Sequence, residues 1–206
     1  MKQYIGITIL AMFILSGCQS ISDKELEVLQ ARAAKAEQLQ VENEKLKQSK
    51  ASLQQSVAEL NKQLEQEVTA KQVLIEQNEQ TGVIKVTLQQ DILFSSGSFK
   101  IDQEGAADIL KKVIESIDNN DGQVMLRIVG HTDNLPVAKK WRKQFSDNWD
   151  LSARRAGEVA RYLTWGLGFP RENITVAGRA DVEPVASNDT PEGRAKNRRI
   201  ELFIEK

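Results

Sequence analysis

VMLRIVGHTDNLPV, Val124 to Val137, decides how this chain is read. Val124 to Val129 are almost continuously apolar, the pattern of a central strand covered on both faces. They run straight into Gly130-His131-Thr132-Asp133, so a polar loop begins where a buried strand ends. Working outward, VIKVTL (Val83 to Leu88) alternates Ile84, Val86 and Leu88 with Lys85 and Thr87, as a half-buried strand does. After FSSGS, Asp102 is placed to cap a helix whose apolar positions Ile109, Leu110, Val113, Ile114 and Ile117 share one face, and DNNDG ends it. Downstream, a second helix around Ser152 carries Ala156, Val159, Ala160 and Leu163 as its stripe. ITVAGR (Ile174 to Arg179) and RIELFIE (Arg199 to Glu205) are two more strands. Between them Thr190 precedes Pro191, the chemistry of a helix start. The order β-α-β-α-β, a short helix and a last strand predicts an α+β fold, a two-layer sandwich of about 125 residues with one core.

His131 is the only histidine and Cys18 the only cysteine. A zinc site needs three or four protein ligands, so neither a metal nor another cofactor is expected here. No serine or cysteine nucleophile signature accompanies His131, and a non-enzyme is expected. The ring is expected to sit at the strand end, bonded to backbone. Asp133 is different, because in sheets with parallel neighbours ligands settle beyond the strands' C-terminal ends. Opposite it should come NWDLSARRA, Asn148 to Ala156, with Arg155 one turn inside the helix. Its planar fork suits a carboxylate. Spacing alone leaves two readings: a pair that grips a zwitterion, or a surface salt bridge worth about 0–1 kcal/mol.

Three separated motifs, GHTDN, NWDLSARRAGEV and GRAKNRRIEL, occur in this order on this arrangement. Together they resemble the OmpA-like peptidoglycan-binding domain over about Val83 to Lys206. The resemblance implies that Asp133 and Arg155 hold the ammonium and carboxylate of diaminopimelate in the peptidoglycan stem peptide. It also implies a groove with Asn148, Leu151 and Ser152, support from Thr132, and Asn197 and Arg198 at the edge. Many members carry aspartate where this chain has Ser95, after Phe94, which leaves ligand contact by those two residues open. The insertion NLPVAKKWRKQFSDNW, with Trp141, Arg142 and Trp149, is similar to the flagellar stator branch, and its tryptophans are expected to pack over the domain.

Charged residues make up 28% of the chain, and the net charge of −1 gives no sign of nucleic-acid binding. From Ser22 to Gln80 there is neither proline nor glycine, and good helix formers dominate. Leu39, Leu46, Leu53 and Leu60 recur every seven residues, with Ala36, Asn43, Lys50, Val57 and Leu64 three before or four after them and Leu74 returning to the register. That is an a/d seam, and Asn43 at an a position favours two strands, so a parallel homodimer is expected. A solitary charged helix is the other reading. Some 55 helical residues would reach roughly 80 Å. Before them, IGITILAMFIL is too short to span a bilayer and ends in Leu15-Ser16-Gly17-Cys18, which resembles a bacterial lipoprotein signal. The resemblance implies a signal over 1–17 and an acylated (palmitate-bearing) Cys18 in a lipid-anchored stretch 18–22, ahead of the coiled-coil spacer that the heptads place over 23–80 and the domain over 82–206. Gln19 points to the outer membrane, facing the periplasm. The function expected is a non-catalytic tether between outer membrane and cell wall, the alternative a stator subunit or a motor-associated wall anchor.

Overall fold

The structure is a computed structural model of the 206-residue chain and describes residues 22–95, 97–101, 105–117 and 124–205. The signal segment, Cys18, Gln19, the Asp102 cap and the DNNDG stop lie outside the described residues. Two compact units divide the chain, residues 1–47 and 48–206. Helix α1, Asp23–Gln63, begins on a reciprocal cap: Ser22 N donates to Glu25 Oε2 at 3.0 Å, and Glu25 N donates to Ser22 Oγ at 3.4 Å. In the first unit Leu26, Leu29, Leu39 and Leu46 are exposed, and Asn43 spends its amide on the Leu39 carbonyl of its own helix at 2.9 Å.

The seam leucines behave differently in the second unit. Leu53, Leu60 and Leu64 are 5%, 0% and 0% exposed and belong to the unit's hydrophobic core. The helix expected over 23–80 also stops early. A short helix α2, Glu65–Thr69, follows, and Val73–Gln77 is a strand, β1. Val73 and Ile75 pair with Leu88 and Val86 of β2, Ile84–Gln89, across an antiparallel hairpin. Their period-two burial and the ladder outweigh the helix propensity of the surrounding Glu, Gln and Lys. Leu74, expected on the seam, stands on the opposite face and is 53% exposed. Gly82 closes the hairpin at φ +75, and its N–H reaches the Asn78 carbonyl at 2.8 Å.

The remaining elements follow the expected order: α3 (Ala106–Glu115), β3 (Met125–His131), α4 (Asn148–Arg161), β4 (Ile174–Gly178), α5 (Pro191–Asn197) and β5 (Arg199–Glu205). The five strands lie in the order β1-β2-β5-β3-β4, with β3 and β4 parallel and every other pair antiparallel. One face of the sheet presents Val86, Leu88, Leu126, Ile128, Ile200 and Leu202 to Leu110 and Val113 of α3 and Ala156 and Val159 of α4. The other face is polar and keeps Lys85 paired with Glu76 at 2.7 Å and Arg127 over the Phe203 ring at 4.0 Å. Thr190 caps α5 as expected, its Oγ1 accepting from Gly193 N at 3.1 Å.

Two glycines set how α4 meets the sheet. Gly130 of β3 pairs with Gly178 of β4, and both lie under the first turns of α4. A β-carbon on Gly130 would stand 2.2 Å from the Ser152 carbonyl oxygen, and one on Gly178 would stand 2.7 Å from Ala153 N. The helix backbone therefore rests directly on the strands.

Candidate functional site

Four chain segments converge at one edge of the sheet. The C-terminal end of β3 supplies Thr132 and Asp133, the antiparallel start of β5 supplies Arg198, the end of β2 supplies Gln90 and Asp91, and α4 supplies Asn148, Leu151 and Arg155. They line a cavity of about 640 Å³ whose far wall is Pro136, Val137, Trp141 and Phe145. Asp147 caps α4, accepting from Asp150 N at 2.9 Å, while Asp150 accepts from Ser146 N at 3.1 Å. The cap and the glycine shelf fix the helix start, and with it Arg155.

Arg155 is only 3% exposed. Its Nε donates to the Ser98 carbonyl at 3.0 Å, its Nη1 donates to Gln90 Oε1, and its guanidinium lies 5.6 Å from the Phe94 ring centre. Both acceptors are neutral, and among the described residues no carboxylate forms a salt bridge with it. Burial, reinforced by the like charge of Arg198 and opposed by Asp91 and Asp133, lowers its pKa to about 10. It stays cationic at neutral pH, a buried charge still short of a counter-ion.

Asp133 is in the opposite condition. Its Oδ2 accepts from Arg198 Nη1 at 2.9 Å and its Oδ1 from Leu135 N at 3.0 Å. Arg198 reaches on to Asp91 at 3.6 Å. Arg198 is thus an ion-pair partner at the centre of the site rather than a residue at its rim. Asn148 donates to the Asp133 and Leu135 carbonyls at 3.2 and 3.1 Å and so holds the loop in place. Thr132 Oγ1 is buried with no hydrogen-bond partner among the described residues. Phe94 and Ser95, left open by the sequence, both line the cavity.

Three expectations are corrected here. Asn197 does not line the cavity; it is fully buried and ties down the loop after Glu183, accepting from Val185 N and Ala186 N at 2.8 and 2.9 Å. Ser152 lies beneath the groove, joining α4 to Ala180 N at 3.1 Å. Among the described residues His131 has no hydrogen bond to backbone: its Nε2 stands 3.2 Å from Glu201 Oε2, close but poorly aligned for a strong hydrogen bond. Of the insertion's aromatics, Trp141 packs on Gly97, where a β-carbon would meet its ring at 2.2 Å, while Trp149 is exposed. Gln90 and Asp91 were missed, because nothing local marks them; only the pairing of β2 with β5 brings them beside Arg198.

Glu201 gives the domain an acid limit. Burial alone would raise its pKa, but contacts from His131 and Arg199, the latter at 2.8 Å, hold it down at about 2. A carboxylate depressed in the folded state contributes stability that is fully present above about 4.5 and is lost as pH falls toward 2. Thermal unfolding measured from pH 6 to pH 2 is therefore expected to show a steeper fall for the natural chain than for Glu201→Gln; parallel curves would refute the assignment.

With this geometry in view, the likenesses to known proteins are informative. The OmpA family profile matches residues 93–198, and the chain belongs to that family. It is 30% identical to motility protein B of Bacillus subtilis over 79% of this chain and 57% of that protein. It is 33% identical to YfiB of Escherichia coli K12, a provisionally named lipoprotein, over 61% of this chain and 73% of that one. The solved structure of the cell wall anchor of the T6SS from Pseudomonas aeruginosa covers 71% of this chain and 96% of its own, at 33% identity and a TM-score of 0.60. The chain thus spans little more than half the length of motility protein B.

Proposed function

We propose that the protein is a non-catalytic peptidoglycan tether, with its lipid on Cys18 in the outer membrane and its OmpA-like domain on the cell wall. The observation that carries the reading is Arg155, a buried guanidinium oriented by neutral oxygens inside a cavity it shares with Asp133. Such a group lacks one thing, an anion, and a carboxylate supplies it bidentately. Asp133 then takes the ammonium of the same zwitterion, with Arg198 turning toward Asp91. The D-centre of diaminopimelate in the stem peptide has both groups on one carbon, whereas a lysine in its place has only the ammonium and would meet two guanidiniums. Thr132 and Leu151 complete the pocket. The likeness to a cell wall anchor supports the wall as target.

Sedimentation with purified sacculi tests this directly. Walls containing diaminopimelate are expected to retain the protein, and lysine-containing walls to retain at least about tenfold less. Equal retention on both would sink the ligand assignment. The exposed leucines of residues 23–47 support a two-stranded coil with a second copy, shorter than the full spacer, and a monomer in sedimentation equilibrium would remove it.

The likeness to motility protein B favours a second reading, a stator-type or motor-associated anchor. Among the described residues no helix is long and apolar enough to cross a membrane. Metabolic lipid labelling of the natural chain and Cys18→Ala separates the readings: an unlabelled protein in the inner membrane favours the stator.

A further inference from the structure

Gln90 opens the 3-10 turn directly after β2, is 4% exposed, and touches both guanidinium-bearing residues of the cavity. Its side-chain oxygen accepts from Arg155 Nη1, and its backbone N–H donates to the Arg198 carbonyl at 3.0 Å, extending the β2–β5 ladder by one step. The next residue, Asp91, stands 3.6 Å from the Arg198 side chain. Adjacent positions thus treat the two arginines oppositely. Among the described residues Arg198 receives two carboxylates, from Asp91 and Asp133, while Arg155 receives only uncharged oxygens, from Gln90 and Ser98.

A glutamate at position 90 would have the same length and shape and would accept the same hydrogen bond. It would also neutralise Arg155 in place, in a buried setting where a paired charge is costly to break. An incoming carboxylate would then face a resident one. With an amide there instead, two of the five guanidinium N–H donors are used for aim, and the charge is left for the ligand.

We propose that Gln90 is a positioning residue of this site, a neutral acceptor that aims Arg155 into the cavity while keeping its charge uncompensated. The proposal rests on the reading that Arg155 receives the ligand's carboxylate. It makes an ordering that a merely structural role reverses. If Gln90 only packs and bonds, Gln90→Glu should bind like the natural protein and Gln90→Met, which loses the acceptor, should be the harmful change. If its neutrality matters, Gln90→Glu is the worse of the two.

The test is binding of the full chain to diaminopimelate-containing sacculi, with melting temperature followed for each variant and Arg155→Ala measured alongside. Gln90→Glu is expected to fold and to lose binding about tenfold or more, with Gln90→Met losing less. If Arg155→Ala loses binding and Gln90→Glu retains it, the proposal is overturned while the cavity reading stands. Should Gln90→Glu fail to fold, position 90 serves structure rather than charge and the proposal fails, whatever Gln90→Met binds. If neither folds, Gln90 is structural and the proposal fails. If Arg155→Ala binds normally, the cavity reading falls and the proposal with it.

Discussion

Arg155→Ala is expected to weaken binding to diaminopimelate-containing sacculi by about 10- to 150-fold, the range that one charge-assisted contact of about 1.5–3 kcal/mol supplies. The domain should remain folded. Removing the side chain leaves Gln90 Oε1 and the Ser98 carbonyl without their donor, which costs stability, but it also removes a buried cation that has no carboxylate partner among the described residues. The two effects oppose each other, so the melting temperature should move little compared with the binding. Arg155→Lys is the informative control, because a point charge on a flexible stem keeps the cation and loses the fork. A pull-down in which the folded alanine variant is retained like the natural protein would remove the central contact of the proposed site.

A large effect on stability is expected at Gly130. Alanine there places a carbon 2.2 Å from the Ser152 carbonyl oxygen, a backbone atom that yields only if α4 moves off the sheet. The cost should exceed ordinary overpacking, at about 3 kcal/mol or more. For a domain of this size that corresponds to a fall in melting temperature on the order of 10 °C. Binding should fall too, since the same helix carries Arg155 and Asn148. A Gly130→Ala protein that melts where the natural one does would show that helix and strand stand further apart than described.

Much of the second unit is legible from residue pattern, because the information is local. The alternation of Ile84, Val86 and Leu88, the apolar run into Gly130, and Thr190 ahead of Pro191 each act through neighbours two to four residues away. What escaped the sequence acts at a distance. Val73 and Ile75 are a strand only because β2 is there to pair with, and a five-residue strand inside a run of helix formers carries little signal of its own. Leu53 and Leu60 keep heptad spacing with Leu39 and Leu46, yet burial in the domain core uses the same periodicity as burial against a second helix. Within the site, the positions of Asp133 and Arg155 were readable because motif and element place them. The Arg198–Asp133 pair and the Gln90–Arg155 bond were not, since both depend on β5 lying between β2 and β3. Asn197 shows the converse: beside Arg198 in sequence, it serves the loop at Val185 and Ala186.

The leucines at 53, 60 and 64 also redraw the working boundary of the folded module. A fragment cut at Gly82, where the glycine suggests a natural joint, would shed those three core side chains and Val73 as well, and strip the neighbour from β2, exposing a hydrogen-bonding edge to any passing chain. The compact unit begins near Gln48, so the last turns of what reads as a stalk are masonry of the domain itself.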